Sequence, residues 1–394
     1  MVTLNWFIAN QPGGSIQEVA KRCTDESNGS YKVEVQLLPA AASDQREQLV
    51  RRLAARDSTV DIIGMDVIWT AEFANAGWIR EWPSSLRSQV TNHVFPSVVK
   101  TASFDGKLYG APFNSNTELL WYRKDLVKKV PKTWSQAIDE AGKLADEGKP
   151  HTILVQGNKY EGFVVWFNAL LQSAGGQILS GPGKVALQRG PTDKALAVMG
   201  RLANSPAAAG DIDTAIEGTG GSLEFESGSA AMMVNYTFAY GSAQADNPTI
   251  GKEMGFARYP RVVPNLPSKP PLGGFNLGVG AYSNHPDLAF QAAACLSNAK
   301  SELTATKLDG LPPSRSNLYT NKVVAKAYPG FAGLVKRSIE SSGPRPLSPA
   351  YQDVSLAIQD TLHPASSVDP TDPGSTYDAL RSSLQDAVER KGLF

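Results

Sequence analysis

Apolar and polar positions along this chain switch repeatedly between strand and helix periods. Residues 2–8, VTLNWFI, predict a strand that runs into the loop Ala9-Asn10-Gln11-Pro12-Gly13-Gly14. Ser15 stands where an N-cap belongs, and a helix is expected to about Glu26. Residues 33–38 alternate as a second strand, and 44–55 carry helical spacing. The run 60–65, VDIIGM, is short and unbroken, as in a strand buried on both faces. It ends at Asp66, and a helix is expected from Trp69 to Ala76. Strand and helix therefore alternate through the first hundred residues, which predicts a doubly wound, mostly parallel α/β sheet. In such sheets ligands lie beyond the carboxyl ends of the strands, where Asn10, Gln11, Asp66 and Trp69 fall.

The pattern changes at residues 104–125, FDGKLYGAPFNSNTELLWYRKD. Pro112 fixes φ and lacks an N–H, and the residue before a proline avoids helical conformation. The segment reads as extended chain, a polar turn over Asn114, Ser115 and Asn116, then a second strand. Two readings are open. In one the backbone crosses here from one lobe to another, with the amides of Asn114 and Asn116 exposed; in the other this is an ordinary hairpin. Further on, helices are expected over 133–147, 162–173 and 192–202, with a strand at 153–155 and a flexible loop at 218–221. A strand at 230–235 delivers Tyr236 and Phe238. Residues 260–271 are proline-rich, 273–277 enter a strand, and 286–297 form an apolar helix. Leu311-Pro312-Pro313-Ser314-Arg315 is another break, and helices over 349–361 and 376–391 close the chain. Breaks near 112, 271 and 313 give four pieces, as two interleaved lobes with three crossings require. The expected lobes are 1–112 with 272–313, and 113–271 with 314–394.

Composition narrows the class. A chain of 394 residues is too long for one simple core and suits two domains. Its 38 basic and 38 acidic residues cancel, which argues against a nucleic-acid or polybasic membrane surface. No run approaches the roughly 20 apolar residues of a spanning helix. No leader precedes the first strand, so the residues alone leave a cytosolic protein or the mature part of an exported one. Cys23 and Cys295 are either two buried small hydrophobes or a long-range disulfide. The four histidines His93, His151, His285 and His363 stand apart from each other and from the cysteines, so no metal or cofactor is expected. No nucleophile elbow, zinc-protease helix, phosphate loop or dinucleotide fingerprint occurs. Asp66, Glu118 and Glu161 could serve a glycoside hydrolase. Each has a plainer reading: a helix cap, a cross-strand partner and a first-turn acid.

Five stretches carry a resemblance: Asp61–Trp82, Phe104–Asp125, Glu161–Gly176, GGFNLGV at 273–279 and GLPPSRSNLY at 310–319. Together they resemble the extracellular solute-binding proteins of carbohydrate ABC importers, in the maltose/trehalose-binding class. They are nearest to the trehalose-binding lipoproteins of mycobacteria and related actinobacteria. The chain departs from that form in being shorter between Phe238 and Tyr259 and in having Tyr236 where a Trp is expected. The resemblance implies a two-lobed α/β fold of the periplasmic-binding type, each lobe a mostly parallel sheet flanked by helices, with three hinge crossings, that closes on an α-linked disaccharide, trehalose first and maltose next. It implies no catalysis and no cofactor, a monomer, delivery to membrane permease subunits, and export with a lipid anchor on the precursor. On its motifs, Asn10, Gln11, Gln45, Asp66 and Trp69 would contact sugar from the first lobe. Asn114 and Asn116 would do so at the first crossing, Glu161, Tyr236 and Phe238 from the second lobe, Gly274 and Asn276 at the next crossing, and Arg345 from a late loop. The same fold would place the helices of Cys23 and Cys295 in one lobe and favour their disulfide.

Overall fold

The computed structural model describes residues 1–39, 41–216 and 221–389. The loop expected at 218–221 lies outside these residues except for Gly221, as does the end of the helix expected at 376–391. The chain forms two compact units: Met1–Asn116, Leu272–Glu340 and Leu347–Pro349 in the first, and Thr117–Pro271, Ser341–Pro346 and Ala350–Phe394 in the second.

In the first unit, strand Val2–Ala9 is the centre of a parallel trio, with Tyr31–Leu38 on one side and Ile62–Asp66 on the other. Pro271–Val279 then adds antiparallel to Ile62–Asp66, and Ala111–Asn116 adds antiparallel to Pro271–Val279. The sheet is therefore mixed, because its last two strands return from distant parts of the chain. Leu4, Trp6 and Ile8 alternate onto the core face with Phe113, Leu277 and Val279. Helix Ser15–Glu26 covers that face with Ile16, Val19, Ala20 and Cys23. Its N-terminus is satisfied from afar: Asp309 accepts from the backbone N–H groups of Gly13 and of Ser15, the latter at 3.0 Å. Ser15 is thus the first helical residue and not the cap, a role that sequence spacing assigned it because Asp309 is 294 residues away. Cys23 and Cys295 form a disulfide with their Cα atoms 5.9 Å apart.

The second unit is built on a four-stranded sheet in the order Met254–Ala257, Glu118–Arg123, Ala230–Tyr236, Thr152–Leu154, the last pair parallel and the others antiparallel; it is not the mostly parallel sheet expected of each lobe, because Glu118–Arg123 pairs on both sides with strands that return from far along the chain. Its core is centred on helix Glu161–Ser173, whose Phe163, Trp166, Phe167, Leu170 and Leu171 are all buried. Trp134, first residue of helix Trp134–Asp146, packs on Trp166 and edge-on against Tyr259, with ring centres 6.5 and 5.7 Å apart. Thr133 caps that helix by accepting from Gln136 N–H.

Three expectations are corrected. Residues 114–116 are not a polar turn but the end of strand Ala111–Asn116, and that strand does not pair with Glu118–Arg123, so there is no hairpin. Asn114 is also not exposed: only 1% of its surface is accessible. The break at 311–315 is internal to the first unit, since Pro312 and Pro313 carbonyls accept from Ser115 N–H and Oγ at 3.0 and 2.9 Å. Residues 314–340 consequently pack with the first unit, and the chain passes to the second between Glu340 and Ser341. Prolines marked an extended segment correctly, but an extended segment can return to its own core as readily as leave it.

Candidate functional site

The residues proposed from sequence fall into two groups, one in each unit. In the first unit, exposed Asn10 and half-buried Gln11 follow strand Val2–Ala9. Asp66 ends strand Ile62–Asp66, and its carboxylate accepts from Ile68 N–H at 3.1 Å, which turns the chain so that Trp69 leads helix Thr70–Asn75. Trp69 is buried and stacks on Phe73, ring centres 6.0 Å apart. Gln45, also buried, lies on helix Ala42–Ala54. That helix is tied to helix Thr70–Asn75 by a two-pronged pair, in which Arg46 Nε donates to Glu72 Oε2 at 2.8 Å and Nη2 to Oε1.

Asn114, Gly274 and Asn276 share one patch of the first sheet. Asn114 Oδ1 accepts from Phe275 N–H at 3.1 Å, and its Nδ2 donates to the Ser115 carbonyl at 3.2 Å. Asn276 is fully buried, and its Nδ2 donates to Thr101 Oγ1 at 3.2 Å. Gly274 has φ +125°, and a Cβ there would come within 2.3 Å of the Asn114 carbonyl oxygen. Asn114 and Gly274 thus serve the close passage of two strands at a register shift between Phe275 and Asn276, whereas the Asn276 amide ties its strand to Thr101 and Thr70. Asn116 is half-buried at the end of its strand, opposite Gly273.

In the second unit the charged centre is Glu161 with Arg345. Glu161 is the first residue of helix Glu161–Ser173, where the positive end of the helix dipole favours a carboxylate. Arg345 Nη1 donates to Glu161 Oε1 at 2.6 Å, with 5% and 17% of their side chains exposed. Tyr351 OH also donates to Oε1, and Ser355 Oγ donates to Oε2 at 2.6 Å. Sequence reading missed Tyr351 and Ser355, yet their signal was legible: Tyr351, Ser355 and Gln359 recur every four residues in helix Tyr351–Leu362, beside the apolar Val354, Ile358 and Leu362.

A second carboxylate, Glu118, is buried in the same unit, opposite Tyr236 in the sheet. Gln156 donates to it, and Tyr160 OH donates to Gln156 Oε1 at 2.8 Å. Burial pushes the neighbouring Tyr259 phenol well above its usual range, with Glu118 and Tyr236 adding to the effect. Tyr236 ends strand Ala230–Tyr236, and Phe238 opens helix Phe238–Asp246, both half-buried. Among the described residues no cluster of three or more His, Cys, Asp and Glu side chains is placed to hold a metal ion.

A buried guanidinium fixed on a carboxylate, further polar residues and half-buried aromatics suit a neutral polar solute with both hydroxyls and C–H faces. The chain is also similar to known proteins. A probable ABC transporter-binding protein of Deinococcus radiodurans is 29% identical over 308 residues, covering 74% of this chain and 71% of the relative. The diacetylchitobiose binding protein DasA of Streptomyces coelicolor is 24% identical over 283 residues, or 70% of this chain and 65% of its own length. The structure of maltose-bound MalE3 of T. maritima matches 99% of this chain and 100% of its own with a TM-score of 0.85 at 25% identity. The family model of bacterial extracellular solute-binding proteins matches residues 18–333. On that span the chain belongs to the bacterial extracellular solute-binding proteins, a two-lobed α/β family that binds solutes and does not transform them.

Proposed function

We propose that the protein is the sugar-binding component of an ABC importer, taking an α-linked disaccharide, trehalose first and maltose-type sugars next, and handing it to membrane permease subunits. The observation that carries this reading is the whole-length likeness to a maltose-bound protein. The chemistry of the residues supports it. Arg345 presents a planar fork suited to vicinal hydroxyls, and Asp66 supplies a carboxylate acceptor. Asn10, Gln11, Gln45 and Asn116 both donate and accept, while Tyr236, Phe238 and Trp69 offer flat faces to the C–H side of a pyranose. Asn114, Gly274 and Asn276 support these residues through the backbone. A monomer, exported and lipid-anchored as its precursor, completes the proposal.

A thermal-shift panel of trehalose, maltose, maltotriose and diacetylchitobiose tests it. A bound sugar at 100 times its dissociation constant adds roughly 2.7 kcal/mol to stability. Trehalose is expected to give the largest shift. Asp66→Ala is expected to abolish calorimetric binding while leaving the far-ultraviolet circular dichroism unchanged. Flat responses to every sugar would refute the sugar reading, and a larger shift with diacetylchitobiose would replace trehalose with an amino-sugar ligand.

A further inference from the structure

The short segment Gly343-Pro344-Arg345-Pro346 is held along one face of helix Glu161–Ser173. Glu161, Asn168 and Gln172 lie on that face at positions i, i+7 and i+11. Gln172 Nε2 donates to the Pro344 carbonyl at 2.7 Å and Asn168 Nδ2 to the Gly343 carbonyl at 3.3 Å, while Glu161 takes the Arg345 guanidinium. Gly343 N–H donates to the Pro270 carbonyl at 2.9 Å. The contact is close enough that a Cβ at Gly343 would lie 2.4 Å from Gln172 Oε1. Pro344 fixes its own φ, and Pro346 restricts the backbone of Arg345.

A second helix holds the carboxylate. Tyr351 and Ser355 donate to the two oxygens of Glu161, and Gln359 Nε2 donates to Ser355 Oγ at 3.0 Å. Tyr351, Ser355 and Gln359 are all buried. Oε1 of Glu161 therefore receives both Arg345 and Tyr351, and Oε2 receives Ser355. Both lone-pair directions of Oε1, the oxygen that holds Arg345, are therefore taken, while Oε2 keeps one direction beside Ser355.

Resting on the sugar-binding reading, we infer that Glu161 is a positioning residue: Tyr351 and Ser355 orient its carboxylate, and the carboxylate orients the Arg345 guanidinium, which makes the sugar contact. This revises the role that the resemblance gave Glu161. The gain is in entropy. A long arginine side chain gives up its rotamer freedom during folding, so that the ligand meets a fork already set. Tyr351 and Ser355 thereby shape affinity without touching the ligand.

The test uses the full chain. Trehalose and maltose are titrated calorimetrically into the wild type, Tyr351→Phe, Ser355→Ala and Glu161→Gln, and into each of these combined with Arg345→Lys. Each single change is expected to weaken binding roughly tenfold, the scale of one hydrogen bond to a charged group. In the Arg345→Lys background the same changes are expected to cost less than about twofold, because their effect passes through the guanidinium. Additive losses would mean that Glu161 meets the sugar itself and would overturn the inference. A second readout needs no sugar: nitrogen-15 spectra of the arginine side chains. The Arg345 Nη–H signals are expected to show restricted rotation in the wild type and to be released by Tyr351→Phe and Ser355→Ala. Identical spectra in wild type and variants would also overturn it. If no sugar binds the wild type, the functional reading fails and these spectra alone decide whether Arg345 is so held.

Discussion

At the scale of single residues, two positions separate backbone necessity from electrostatic choice. Gly274 is required by geometry. Its φ of +125° is strained for any side chain, and a Cβ would collide with the Asn114 carbonyl. Gly274→Ala is expected to cost about 3 kcal/mol in urea unfolding; a loss under about 1 kcal/mol would show that the strands can part there. Glu302 is a different case. It is fully buried, accepting from Ser314 Oγ at 2.8 Å and Arg315 N–H at 3.1 Å, with the Arg315 guanidinium beside it. Burial nevertheless pushes its carboxyl up to about 7, outweighing the pull of Arg315 and Ser314. The folded chain thus retains a proton that an unfolded glutamate, near 4.5, would release. The resulting stability is fully present below about pH 4.5 and is lost as pH rises through about 7. Relative to Glu302→Gln, the wild type should lose on the order of 3 kcal/mol between pH 5 and pH 8. Parallel melting curves for the two proteins across that range would exclude it.

At the scale of elements, long-range ties do what local sequence does not. Helix Ser15–Glu26 is capped by Asp309 at one end and bonded through Cys23 to helix Pro286–Leu296 near the other. The closed loop is long, the cysteines being 272 positions apart in sequence, so the chain-entropy gain is near its upper range. Replacing both cysteines by serine is expected to cost about 4 kcal/mol, read as a lower denaturant midpoint with a steeper slope, because the uncrosslinked unfolded chain exposes more surface. An unchanged midpoint would mean that helix packing alone sets the geometry. Residues 314–340 obey the same logic. Arg315 reaches the carbonyls of Asn92, Gln89 and Ser297, and Ser316 N–H donates to the His93 carbonyl at 2.8 Å, so the segment belongs to the first unit despite the prolines before it.

At the scale of the whole molecule, each unit has its own sheet and its own core. Two cores predict that unfolding without ligand departs from a single two-state step. Differential scanning calorimetry is expected to give a calorimetric enthalpy larger than the van't Hoff value. Equality of the two would indicate that the units melt as one. The neutral net charge adds a second expectation, that sugar affinity changes little with salt, because the proposed ligand is uncharged and the guanidinium is already paired. A steep salt dependence in calorimetry would point to an ionic ligand.

Much of this was written in the chain. The alternation of strand and helix through the first hundred residues is a local property, since a hydrophobic face recurs with the period of its element, and it specified the parallel trio Val2–Ala9, Tyr31–Leu38 and Ile62–Asp66. Pro112 and the apolar run after it placed a boundary within a few residues of the passage at Asn116, and the segments quoted from 61 to 319 were enough to indicate the family. Pairings between distant residues were decided only by tertiary structure. No period in the sequence links Asp309 to Ser15, Ser115 to Pro312, or Tyr351 and Ser355 to Glu161. Each of these is a hydrogen bond whose partners meet only after the core has closed. That is why the sequence could name Arg345 and Glu161 but not which of them is held by the other.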